Sequence, residues 1–285
     1  MSRFSLWSHI PEHINPVAFH IGPLEIRWYG IMYVVAFFIV FLLAFYRVKT
    51  EKFSFSKKTM ADFVFWVIFG VLIGGRLGYI LFYDFNYFLT HPLKIISPFE
   101  LLNGKFYFTG IYGMSYHGGL LGVVFAAFLF CRKNKINFWL FSDLFIPAIP
   151  LGYTFGRLGN FINGELYGRV TNVSWGMYFP LDLTHRLRHP SQLYEAFFEG
   201  VVLFFILWSL RKKRFFDGFL FSLYIICYGF FRFFLEFFRE PDPQLGFILG
   251  PFTMGQILCF CMVSAGLFIY LFKKAKSGKD KYANL

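Results

Sequence analysis

Tyr228, Arg232, Glu236 and Arg239 follow one another at steps of four, four and three in a stretch otherwise dominated by phenylalanine. On a helix that spacing puts all four on one face. Guanidinium groups grip a phosphate or carboxylate through paired N–H donors and keep their charge when buried. The same residue types recur in or beside other apolar runs, as Arg76, as Arg157 with Asn160, and as Tyr194, Glu195 and Glu199. His117 precedes Gly118 and Gly119 where a helix should begin. Unpaired amides at such a beginning hold anions, and an imidazole there is a candidate proton acceptor or a simple cap. An internal Arg232–Glu236 salt bridge would neutralise two buried charges. It would still leave Arg76, Arg157 and Arg239 seeking anions, with a carboxylate such as Glu199 or Glu236 as one partner for Arg76.

The elements that position these groups follow from composition. Of 285 residues, 57% are hydrophobic, 15% are charged and 45 are phenylalanine, too little polar surface to cover a soluble globule. Crossing a hydrocarbon core of roughly 30 Å takes about 20 mainly apolar residues. Seven runs approach that length, near 28–46, 61–83, 117–131, 138–156, 192–210, 218–238 and 252–272, the third being short. The sequence therefore reads as an all-α integral membrane protein of seven transmembrane helices in one domain. In such helices a central arginine or carboxylate costs about 2.5–3.5 kcal/mol, so each polar residue above needs a partner or a purpose.

Basic residues set the expected orientation, because short cytoplasmic loops collect positive charge. Seventeen of the 28 lysines and arginines cluster after runs one, three, five and seven. Seven crossings then place the N-terminus outside and the C-terminus in the cytoplasm, so the net charge of +12 records topology rather than a nucleic-acid partner. Residues 1–27 hold no continuous apolar core, so run one is the expected insertion signal. Segments of about 84–116 and 157–190 become small extracytoplasmic caps, and the polar residues named above gather toward that outer side. Asp62, Asp143 and Asp217 fall at inner helix starts, where a carboxylate complements the dipole. Gly70, Gly74 and Gly78 repeat every fourth residue and suit close helix packing. The four cysteines suggest neither disulfides nor a metal site, and nothing indicates a cofactor.

Several runs of residues carry a resemblance. Gly156, Arg157, Leu158, Gly159, Asn160, Phe161, Ile162, Asn163, Gly164 and Glu165 closely resemble the signature of the prolipoprotein diacylglyceryl transferases. Trp28, Tyr29 and Gly30, then Gly74, Gly75 and Arg76, then Ser115 through Gly119, then His189 through Glu195, and finally Tyr228 through Arg239 are similar to further motifs of that family. The chain departs from it at Tyr116, where phenylalanine is expected, and in a short segment between Arg169 and His189.

The resemblance implies an enzyme of the bacterial inner membrane. It would move the diacylglyceryl group of phosphatidylglycerol to the lipobox cysteine thiol of a prolipoprotein signal peptide, with membrane lipid around it. In this reading Arg157 and Arg232 hold the phosphate, Asn160 and Gly168 shape the headgroup pocket, Glu236 orients Arg232, and His117 is the candidate base. Tyr29, Glu165, Tyr228 and Arg239 complete the substrate contacts. A transporter or receptor for an anionic solute could use the same cations, but the inner halves of the runs offer few polar residues for an exit. A structural membrane subunit would leave the outer charges without a purpose.

Overall fold

The computed structural model describes residues 3–283, except 23, 52, 98, 103–104, 109–112, 241–246 and 251. Among the described residues five helices are long and apolar enough to cross a membrane: Trp28–Thr50, Lys57–Tyr83, Phe138–Ile162, Ser191–Leu210 and Met254–Gly278. They coincide with five of the seven expected runs. Phe219–Leu235 is a shorter apolar helix at the sixth run, and Tyr116–Lys133 occupies the run expected to be short. Val34, Phe82, Phe205 and Phe268 stand exposed on these helices. Lipid is the solvent such faces match. The protein is a mostly helical, multi-pass membrane protein.

The chain forms two compact units, residues 54–141 and residues 1–53 with 142–285. In the first, helix Lys57–Tyr83 packs on helix Tyr116–Lys133 through glycines. A Cβ at Gly70 would sit 2.7 Å from the carbonyl oxygen of Gly122, and one at Gly78 would sit 2.6 Å from Gly118 Cα. The four-residue glycine repeat thus serves packing, as its spacing suggests. Ser56 caps the first helix by accepting from Thr59 N at 3.0 Å, whereas Asp62 is exposed on it. Arg76 donates to the carbonyls of Lys94 at 2.6 Å, Ile95 at 2.8 Å and Gly113 at 3.3 Å. Its guanidinium is held by backbone of the segment that follows its own helix.

In the second unit Ile146, Leu203, Leu207, Phe216, Phe219 and Leu220 form a buried core. Asp143 accepts from Gly218 N and Phe221 N, each at 2.8 Å. The carboxylate expected to serve its own helix start instead caps Phe219–Leu235, satisfying amides that begin a different helix. A second difference concerns the segment expected from residue 157 onward. Helix Ile149–Ile162 runs through Arg157 and Asn160 and closes only where Asn163 N reaches the Gly159 carbonyl at 3.0 Å. Beyond it, residues 163–190 are irregular and tied by isolated bridges, Gly168 to Arg239 and both Val170 and Met177 to Arg188.

Candidate active site

Three chain elements of the second unit converge on one buried polar cluster. Helix Ile149–Ile162 presents Tyr153, Arg157 and Asn160 at steps of four and three, hence on one face. Ser191–Glu195 is α-helical and passes into a π-helical stretch, Ala196–Val202, before Leu203–Leu210 resumes the α form. Such wide turns favour functional sites because they re-aim side chains. Here Glu195 and Glu199 stand at and within the change of winding. Gly200 lets this stretch lie close to helix Ile149–Ile162, since a Cβ there would run into the Thr154 side chain. Helix Phe219–Leu235 supplies Tyr228 and Arg232, with Glu236 immediately after its last turn.

Glu195 joins the two arginines. Its Oε2 lies 2.7 Å from Arg157 Nε, and its Oε1 lies 3.1 Å from Arg232 Nη1. Arg157 Nε also donates to the Tyr153 hydroxyl at 2.6 Å, and Nη1 donates to Asn160 Oδ1 at 3.2 Å. Tyr153 in turn donates to Glu199 Oε2, and its ring lies under the Arg157 guanidinium. Arg232 Nη2 donates to Glu236 Oε2 at 2.9 Å, so the expected internal bridge is present. Glu236 Oε1 accepts from Thr253 Oγ1 at 3.1 Å, and its carboxylate lies against Gly255.

Burial makes these contacts matter. The side chains of Arg157 and Arg232 are 13% and 14% exposed, and those of Glu195, Glu199 and Glu236 are 2%, 0% and 8% exposed. In such surroundings a lost charge partner is felt far more than at a surface. Two guanidinium groups are thereby pinned from several directions. The Nη2 of Arg157 has no partner among the described residues, which leaves that edge of the fork able to donate to an anion.

Of the other sequence-predicted residues, Glu165, Tyr29 and Tyr228 neighbour this cluster directly. Asn160 Nδ2 donates to Glu165 Oε1 at 2.8 Å, and the Glu165 carbonyl accepts from Gln192 Nε2 at 2.7 Å. Tyr29 packs on the same helix, where a Cβ at Gly159 would sit 3.1 Å from its ring. The ring of Tyr228 meets that of Tyr153 edge-on at 5.9 Å. Gly168 N donates to the His189 carbonyl at 2.8 Å, and Gly168 also bridges Arg239. Arg239 was expected on one helix face with Arg232, yet the helix ends at Leu235. Arg169 holds the chain beyond the helix end in the bridge, donating from N to the Phe238 carbonyl and from Nε to the Arg239 carbonyl. Burial lowers the pKa of His189, whose Nδ1 lies 3.1 Å from the Tyr194 hydroxyl. His117 lies in the first turn of Tyr116–Lys133, in the other unit, and its side chain is outside the described residues.

Sequence reasoning placed Glu195 and Glu199 among the polar outliers without giving them a role at the site, and it passed over Tyr153 and Thr253. Periodicity held the missing signal. Tyr153 stands four before Arg157, and Glu195 stands four before Glu199, each pair at one-face spacing.

Comparison with known proteins agrees with the motifs on these elements. The family model described as prolipoprotein diacylglyceryl transferase matches residues 16–272. A phosphatidylglycerol–prolipoprotein diacylglyceryl transferase of Chlorobaculum tepidum is 58% identical over 271 residues, covering 95% of this chain and 94% of its own. Namesakes from Campylobacter jejuni and Wolinella succinogenes are 48% and 46% identical over 272 and 274 residues. Each covers 95% of this chain, and 97% and 98% of its own, respectively. With the match running from the first span to the last and through every element of the buried cluster, the chain belongs to the prolipoprotein diacylglyceryl transferase family.

Proposed function

We propose that this protein transfers the diacylglyceryl group of phosphatidylglycerol to the lipobox cysteine thiol of a prolipoprotein signal peptide. The thiol sulfur forms a bond to the glyceryl carbon, and the bond from that carbon to the phosphate oxygen breaks. Glycerol phosphate departs with both electrons of the broken bond, and the thiol proton goes to a base or to the departing phosphate. The observation that carries the reading is the pair of buried guanidinium groups held on one carboxylate, Arg157 and Arg232 on Glu195. A site that collects developing phosphate charge needs cations fixed before the reaction begins.

In this reading the Arg157 fork and Arg232 take the phosphate, while Asn160, Glu165 and Gly168 shape the headgroup pocket. Tyr29, Tyr228 and Arg239 line the approach, and Glu236 orients Arg232. His117 is the candidate base for a thiol whose ordinary pKa is about 8.5. Seven crossings, with the N-terminus outside and the site facing the extracytoplasmic side of the bacterial inner membrane, follow from the basic clusters. Nucleic acid has no part in it. The test is transfer of labelled phosphatidylglycerol to a lipobox peptide by the purified protein. Transfer that vanishes when the peptide cysteine becomes serine, and collapses when Arg157 or Arg232 is changed, supports the reading. Transfer indifferent to both arginines would sink it.

A further inference from the structure

A second cationic site lies where two spans end together, apart from the buried cluster. Helix Trp28–Thr50 closes at Thr50, and Lys212 and Arg214 follow the end of Ser191–Leu210. Between them is an open cleft of about 250 Å³ lined by Thr50, Glu51, Lys212 and Arg214.

Helix ends of this kind expose carbonyls, which repel anions. Several backbone carbonyls around the cleft are engaged by side chains. Fully buried Arg47 donates to the carbonyls of Asp143 at 2.6 Å, Leu144 at 2.7 Å and Arg211 at 3.0 Å. Arg211 Nη1 donates to the Trp208 carbonyl at 2.6 Å, Thr50 Oγ1 to that of Tyr46 at 2.8 Å, and Arg214 Nη2 to that of Glu51 at 2.9 Å. Glu51 is neutralised as well, with Oε2 2.8 Å from Arg47 and Oε1 3.1 Å from Arg211. The Glu51 carboxylate is thus shared between Arg47 and Arg211. Arg214 is stacked on the Phe53 ring at 3.7 Å, which fixes its guanidinium, and the Lys212 ammonium has no acidic partner among the described residues.

We propose that this cleft binds a phosphate group, presented by an anionic lipid headgroup or as the free anion. Its position at the end of two spans is headgroup level, where each basic side chain attracts anionic lipid. The inference rests on the membrane-spanning reading of these helices and not on the transfer reaction.

Native mass spectrometry of the full chain in detergent tests it, with dioctanoyl phosphatidic acid and inorganic phosphate as probes and a zwitterionic phosphatidylcholine as control. Lys212→Glu reverses a charge that holds nothing else in place, and Lys212→Ser/Arg214→Ser removes both. The expected result is one anion fewer bound to either variant, with affinity at that site down on the order of tenfold. Labelled phosphatidylglycerol transfer should stay unchanged for Lys212→Glu. Loss in the phosphatidic acid arm alone identifies a lipid site, and loss in the phosphate arm identifies the free anion. Equal binding of both probes by the wild type and Lys212→Glu would overturn the proposal. Loss of transfer in the wild type would strike the catalytic reading and leave the cleft standing.

Discussion

The Glu195 carboxylate holds Arg157 at 2.7 Å through Oε2 and leaves Oε1 for Arg232 at 3.1 Å, so one side chain sets the spacing of the two cations. Glu195→Gln keeps the volume and removes the charge. Breaking a buried pair typically costs about 3–5 kcal/mol. A cation displaced by an ångström loses on the order of 100-fold in rate. We expect the variant to insert, to melt at lower temperature in detergent, and to transfer diacylglyceryl about that much more slowly. Transfer and thermal stability both near wild type would show that the arginines need no common tether.

Arg157→Lys separates geometry from charge. Lysine retains the cation but has no planar fork. Its single nitrogen cannot stand both where Nε meets Tyr153 and Glu195 and where Nη1 meets Asn160. Transfer should fall at least tenfold at saturating lipid while the protein still accumulates in membranes. Near-normal turnover would mean that a point charge suffices at this position.

Residue chemistry made the span helices and both arginines legible, because apolar runs and buried guanidinium groups are unmistakable in a lipid-compatible composition. Which carboxylate served which cation was not legible. Arg232 and Glu236 share one helix turn, so their pairing could be read locally. The bond from Glu195 to Arg157 joins two helices, and Asp143 caps a third from a distance of 75 residues. Such partnerships depend on helix packing and on the change to π winding at Ala196–Val202, which periodicity does not report. The end of helix Ile149–Ile162 was misplaced for a related reason. Gly156 and Gly159 weaken helix propensity, but Tyr29 packing on Gly159 sustains the helix.

Asp143→Ala should weaken the start of helix Phe219–Leu235, since both carboxylate oxygens serve its first amides. Losing a cap costs about 0.5–2 kcal/mol. The loss should appear as a lower melting temperature in detergent, with the turnover of the surviving folded fraction unchanged. An unchanged melting temperature would remove Asp143 from the stability of that helix.

Gly168 meets backbone that cannot step aside. A Cβ there would run into the Phe238 carbonyl oxygen and come within 2.9 Å of both His189 Cβ and the His189 carbonyl oxygen. Gly168→Ala should force the bridge to Arg239 apart and shift the headgroup pocket. We expect a large loss of transfer with little change in the amount of membrane-inserted protein. Full activity would show that the bridge can open without consequence.

Asp182 and Arg188 tie the irregular segment together. Arg188 donates from Nε to Oδ2 at 2.7 Å and from Nη2 to Oδ1 at 3.0 Å, and Thr184 Oγ1 adds a bond at 2.7 Å. The Arg188 hydrogen bonds, helped by Thr184 and opposed by burial, hold the Asp182 carboxyl well below the usual carboxylate range. A carboxyl depressed in the folded state stabilises most above its unfolded pKa of about 3.9 and loses that contribution as pH falls toward its folded value. The stability gap between wild type and Asp182→Asn should therefore be flat between about pH 5 and 8 and shrink below about pH 4. Thermal melts of both proteins across that range measure it. A gap that widens on acidification would mean that the pair contributes through something other than the ionised carboxylate.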